Sequence, residues 1–146
     1  MTRILVVLGL LAAAVPIEAA EMLQRLVVVT SPGNPHDQLS LETIRLIFKR
    51  RLEIDAEGNH WVPVNLPAQD PIRQAFSEAV FTQLPQDMDD YWNQQYFLGI
   101  TPPQVLASEE AVIRFIEATP GSIGYINWAS ADHRVKVVHT LLVQPH

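Results

Sequence analysis

Extended apolar runs and amphipathic helical patterns alternate along this chain, and that alternation constrains the fold more than any other feature. Leu26 to Thr30 is a β-branched apolar run that stops at the turn formers Ser31, Pro32, Gly33, Asn34 and Pro35. Ser40 is placed to cap a helix in which Leu41, Ile44, Ile47 and Phe48 share one face, ending near Arg51. A polar turn at Asp55 to Asn59 precedes a second extended stretch, Trp61 to Leu66, where Pro63 marks a sheet edge or a strand start. Asp70 and Pro71 then occupy the N-cap and first helical positions of a strongly periodic helix with Ile72, Ala75, Phe76, Ala79 and Val80 inward.

A further helical stretch runs from Asp87 to Leu98 and stops at Gly99; its Tyr91, Trp92, Tyr96 and Phe97 are expected in the core. Ser108 caps Glu109 to Thr119, and Pro120 with Gly121 ends that helix. Ser122 to Trp128 and Arg134 to Val143 read as the closing strands. Strands interleaved with helices predict an α/β fold, a three-layer sandwich with a mixed sheet flanked by helices. Ile44, Phe48, Val64, Phe76, Val80, Phe115 and Ile123 are its expected core.

The N-terminus reads differently. Arg3 precedes the apolar run Ile4 to Val15, and small residues follow at Ala19 and Ala20, the pattern of a secretory signal peptide. Cleavage after Ala19 puts Ala20 first in a mature, periplasmic domain of residues 20–146, the length of one domain. The apolar run is shorter than the roughly 20 residues that span a bilayer. Cysteine is absent, so a cysteine-linked lipoprotein anchor, disulfides, thiol catalysis and thiolate metal sites are excluded. The formal charge of −6 argues against nucleic acid or an anionic membrane surface as direct partners. The one basic cluster, Lys49, Arg50 and Arg51, reads as a helix C-terminus.

Ligands in interleaved α/β folds sit in loops at strand ends. Three loops qualify: Ser31 to His36 with Ser31 and Asn34, Pro67 to Asp70 with Gln69 and Asp70, and Thr119 to Ser122 with Gly121. Free amides at the helix beginning with Pro71 attract anions, and Arg73 adds a charge-assisted donor. Asp70 competes for the same amides as a plain cap. No catalytic constellation is present: the serines lack a nucleophile-elbow context and the glycines form no phosphate-binding loop. His36, His60, His133, His139 and His146 have no paired spacing, so neither a metal nor another cofactor is expected, and nothing marks the chain as an enzyme.

The ordered set Leu39-Ser40-Leu41, Ile44, Ile47-Phe48, Gly58, Val62-Pro63-Val64, Pro71, Arg73 and Phe76 resembles the phosphate-type periplasmic substrate-binding proteins. Trp92, Phe97, Gly99, Pro102-Pro103 and the run Thr119-Pro120-Gly121-Ser122-Ile123-Gly124-Tyr125-Ile126 continue the likeness. The resemblance implies a type 2 periplasmic-binding-protein-like domain that holds phosphate or a similar oxyanion for a membrane ABC importer. It also implies a ligand loop of Gly, Ser and Thr, where this chain has Ala68, Gln69 and Asp70. The carboxylate there favours a second reading, a module without solute that docks on an envelope sensor or transporter and meets the membrane only through that partner.

Overall fold

The computed structural model describes residues 23–144; the expected signal segment lies outside them. Strand β1 (Gln24–Thr30) leads to helix α1 (Leu41–Phe48), strand β2 (Val62–Asn65) and helix α2 (Pro71–Phe81). A short 3-10 turn, Pro85–Met88, opens helix α3 (Asp89–Phe97). Strand β3 (Gln104–Val105), helix α4 (Glu109–Ala118), strand β4 (Ser122–Asn127) and strand β5 (Lys136–Val143) complete the chain. Among the described residues no helix is long and apolar enough to cross a membrane.

The five strands form one mixed sheet in the order β3-β2-β4-β1-β5. β1 runs antiparallel to both β4 and β5, whereas β2 is parallel to β3 and β4. Central position explains why β1 and β4 read as continuous apolar runs, with Leu26 to Val29 and Ser122 to Ile126 buried. On one face Tyr125 meets α1 and α2 through Phe48 and Phe76. On the other, Gly124 lies under α4, and a Cβ built there would come within 2.8 Å of Val112 and 3.2 Å of Ile116. Helices therefore cover both faces, the three-layer arrangement expected.

The helix caps form as the sequence dictates. Ser40, Asp70 and Ser108 each accept a backbone N–H from the first turn that follows. Gly99, at φ +79, ends α3, and the Ile100 N–H closes back onto the Gln95 carbonyl. Six of the seven expected core residues are buried, while Phe115 is only half-buried and packs at the margin of the cluster.

The structure decides one open alternative and corrects one expectation. β2 lies inside the sheet, and Pro63 marks its start: the Val62 N–H faces β4, where it donates to the Gly121 carbonyl, and on the other side β3 pairs only with Val64 and Asn65, so neither neighbour requires a Pro63 N–H. The aromatic residues of the third helix are not core. Tyr96 and Phe97 are 70% and 86% exposed, and no residue of α3 is buried. Trp92 and Tyr96 are four residues apart, but Asn93, Gln94 and Gln95 stand between the aromatic pairs and the rings spread round the helix, so no face is uniformly apolar. It is tied down at its start, where the Tyr91 hydroxyl donates to the Lys49 carbonyl at 2.7 Å and the Lys49 ammonium sits 4.7 Å above the same ring.

Candidate functional site

Strand direction divides the candidate ligand residues into two groups. Parallel pairing sets Val62 beside Ser122 and Pro63 beside Ile123, so β4 begins where β2 begins. Antiparallel pairing sets Thr30 beside Ile123, so β1 ends there too. Ser31, Asn34, Thr119, Gly121 and Ser122 consequently gather at one end of the sheet. Gln69, Asp70 and Arg73 follow the far end of β2, about 13 Å away along a four-residue strand. The fold does not bring them into a single pocket.

At the α2 end, local hydrogen bonds already occupy the expected anion loop. The Asp70 Oδ1 accepts the Ile72 N–H at 2.8 Å, and the Asp70 N–H donates to the Pro67 carbonyl at 2.9 Å. Arg73 turns its guanidinium onto the Leu66 carbonyl at 3.0 Å. Gln69 stays exposed. Beneath the loop, the buried Tyr125 hydroxyl donates to Asn65 Oδ1 at 2.9 Å and accepts the Leu66 N–H at 3.3 Å. Burial pushes the Tyr125 phenol well above its ordinary range, so it stays a neutral structural donor. Asn65, Arg73, Ser77 and Trp92 help line a cavity of about 20 Å³, space on the scale of one water.

The opposite end holds a cleft of about 580 Å³ lined in part by Ser31, Asn34, Asp55, His60, Trp61 and Gly121. Gly121 sits at φ +80 against the His60 carbonyl, where any Cβ would collide, and its own carbonyl accepts the Val62 N–H at 2.9 Å. Ser122 is fully buried, and its hydroxyl donates to the Thr119 carbonyl at 2.6 Å, which takes it out of reach of a ligand. Asn34 accepts the His36 N–H at 2.9 Å through its side chain and the Lys136 ammonium through its carbonyl.

Beside this cleft the fold assembles a group that spacing along the chain did not disclose. His36 Nε2 lies 3.1 Å from Asp55 Oδ2 and 3.9 Å from Glu57 Oε2. The His36 ring packs on Trp61, with 5.2 Å between centroids. Asp55 is held by its own turn: Oδ1 accepts the N–H groups of Glu57 and Asn59 at 3.0 and 2.8 Å, and Oδ2 accepts the Asn59 side-chain amide at 3.2 Å. Burial works to raise the Asp55 pKa, but the hydrogen bonds from Asn59, His36 and Glu57 outweigh it and hold the carboxyl at about 2. The alternation Asp55, Glu57, Asn59 around Gly58 was the available signal, and it reads equally as an ordinary polar turn.

A third feature is the tip of α3, where Tyr96, Phe97 and Leu98 form a consecutive apolar run, each at least 70% exposed.

No protein-family model matches the sequence, and no curated protein matches it. Solved structures do. The fold is similar to an ABC-type phosphate transport receptor from Vibrio cholerae, with a TM-score of 0.66 at 16% identity over 81% of this chain and 47% of that one. It is similar to a putative phosphate ABC transporter substrate-binding protein with bound phosphate from Clostridium perfringens, with a TM-score of 0.66 at 21% identity over 80% and 45%. A third likeness is PstS from Borrelia burgdorferi, with a TM-score of 0.60 at 16% identity over 83% and 51%. The chain spans about half the length of these structures, and its sheet and helices correspond to one domain of such a binding protein.

Proposed function

We propose that this chain is a binding-protein-like module of the bacterial envelope that acts by docking on a partner protein, a sensor or transporter, rather than by carrying free phosphate. The observation that carries this reading is the Asp70 carboxylate seated on the Ile72 amide. A helix N-terminus attracts an anion through its unpaired N–H groups and dipole, and here a covalently attached anion already holds the place. A phosphate dianion entering the loop would meet that carboxylate at close range, with Arg73 already committed to the Leu66 carbonyl. The exposed Tyr96, Phe97 and Leu98 supply apolar surface suited to a protein contact.

One observation favours the other reading, an oxyanion-binding component of an ABC importer. The fold is shared with phosphate-transport proteins, and Arg73 lies within the first turn of the helix that would face the ligand. A ligand with a proton to donate to Asp70 would suit that geometry.

Calorimetric titration with phosphate at low ionic strength separates the two, because a weak charge-driven site would be screened by salt. Docking without solute predicts no heat for the native chain and new, weak phosphate binding in Asp70→Ser, which keeps a capping oxygen on the Ile72 amide but removes the carboxylate charge that repels the dianion. Micromolar binding to the native chain that Arg73→Ala abolishes would overturn the docking reading.

A further inference from the structure

We propose that His36, Asp55 and Glu57 form a binding site for a divalent transition metal ion, with zinc the best-suited ion, at the edge of the cleft lined by Asn34 and Trp61. The site is independent of the α2 end and of the docking reading. Its ligand set, one imidazole and two carboxylates, is the mixed nitrogen and oxygen donor type that zinc accepts.

The distances support it. Two ligand atoms bonded to one tetrahedral zinc at about 2.1 Å lie about 3.4 Å apart. His36 Nε2 is 3.1 Å from Asp55 Oδ2 and 3.9 Å from Glu57 Oε2, and all three ligand atoms fall within 4.8 Å of one another. Shifts of a few tenths of an ångström at His36, and somewhat more at the exposed Glu57 side chain, would complete the geometry. Asp55 needs no rearrangement. Its Oδ1 is anchored by two backbone amides, which aims Oδ2 at the imidazole, the kind of outer support that orients metal-binding carboxylates.

Charge points the same way. Among the described residues, the ion pairs of Asp55 and Glu57 are with His36 alone, and no lysine or arginine pairs with either. With a neutral imidazole, two carboxylates converge on one point without a fixed cation, and the Asp55 side chain is only 6% exposed. A divalent ion would neutralise that pair. Three protein ligands leave a fourth position for water or an anion, and Asp55 is shared with the wall of the 580 Å³ cleft.

The test uses the full chain, stripped of metal with a chelator and titrated with zinc chloride against a chromophoric zinc chelator. One equivalent should bind with a Kd in the micromolar range or tighter, and saturating zinc should raise the melting temperature, since an ion bound only to the native state stabilises it. His36→Gln and Glu57→Gln should each weaken binding at least tenfold. Glu57 is exposed, so Glu57→Gln keeps the test decisive even if His36→Gln disturbs the Trp61 contact. Zinc affinity within threefold of native in both variants would assign uptake to other histidines and overturn the site. Failure of the native chain to bind zinc at about 100 µM, roughly a hundredfold above a micromolar Kd, would overturn it equally.

Discussion

The Tyr125 ring lies flat on the Phe76 ring, 3.7 Å between centroids and 6° from parallel, joining the central strand β4 to helix α2 across the sheet face. Phe48 closes the cluster edge-on to Phe76 at 4.9 Å. The same tyrosine carries its hydroxyl to Asn65 and Leu66. One side chain thus fixes both the core and the root of the loop that precedes α2.

Removing the stack should be costly. Phe76→Ala is expected to destabilise by about 3 to 5 kcal/mol, the range for a fully buried phenylalanine. Tyr125→Phe keeps the ring but leaves the Leu66 N–H and Asn65 Oδ1 without their partner, at a cost of about 1 to 3 kcal/mol. Urea unfolding checks both, and a loss below about 1 kcal/mol for Phe76→Ala would contradict the packing described.

Asp70 should behave as a cap in stability measurements whatever it does to ligands. Asp70→Ala is expected to cost about 1 kcal/mol and Asp70→Ser less than about 0.5 kcal/mol, because serine accepts the same N–H. Equal losses in the two variants would show that the 2.8 Å bond to Ile72 contributes nothing.

Gly124 is required by close packing rather than by backbone conformation. Its absent Cβ is where Val112, Val64 and Ile116 converge, the nearest at 2.8 Å. Gly124→Ala should therefore cost about 1 to 3 kcal/mol as α4 is pushed from the sheet. A neutral or stabilising result in thermal unfolding would mean that the helix can retreat freely.

Acid should weaken the fold through Asp132. Hydrogen bonds from the Arg134 side chain and N–H hold this carboxyl at about 2, against an ordinary 3.8, and Arg134 also lowers Glu110. With the folded pKa below the unfolded one, the unfolded chain binds more protons in the interval. The contribution is present above pH 3.8 and is lost as pH falls toward 2. Arg134→Gln should flatten this acid limb while leaving the curve above about pH 6, well clear of ordinary carboxyl titration, with little slope change. Urea midpoints across a pH series give the comparison.

The N-terminal pattern carries its own test. Exported protein should have the intact mass of a chain beginning at Ala20, and retention of Met1 on membrane-bound protein would contradict cleavage.

Local chemistry determined much of this protein. Ser40, Asp70 and Ser108 cap the helices that follow them because their oxygens accept orphan N–H groups within a few residues, an interaction that needs no tertiary partner. The apolar faces of α1 and α2 and the buried runs of β1 and β4 were legible for the same reason, since periodicity reports which side of an element meets a core. Strand β3 escaped notice because two exposed residues carry no period.

Strand direction was decided only by the tertiary structure. A run of valines pairs equally well either way, so nothing local says that β1 ends where β4 begins, or that Gly121 and Asp70 lie at opposite ends of the sheet. His36 and Asp55, 19 residues apart in sequence, likewise meet only in the folded chain. Exposure of Tyr96 and Phe97 was decided there too, because an aromatic residue is buried only when another element arrives to cover it, and among the described residues none packs over the tip of α3.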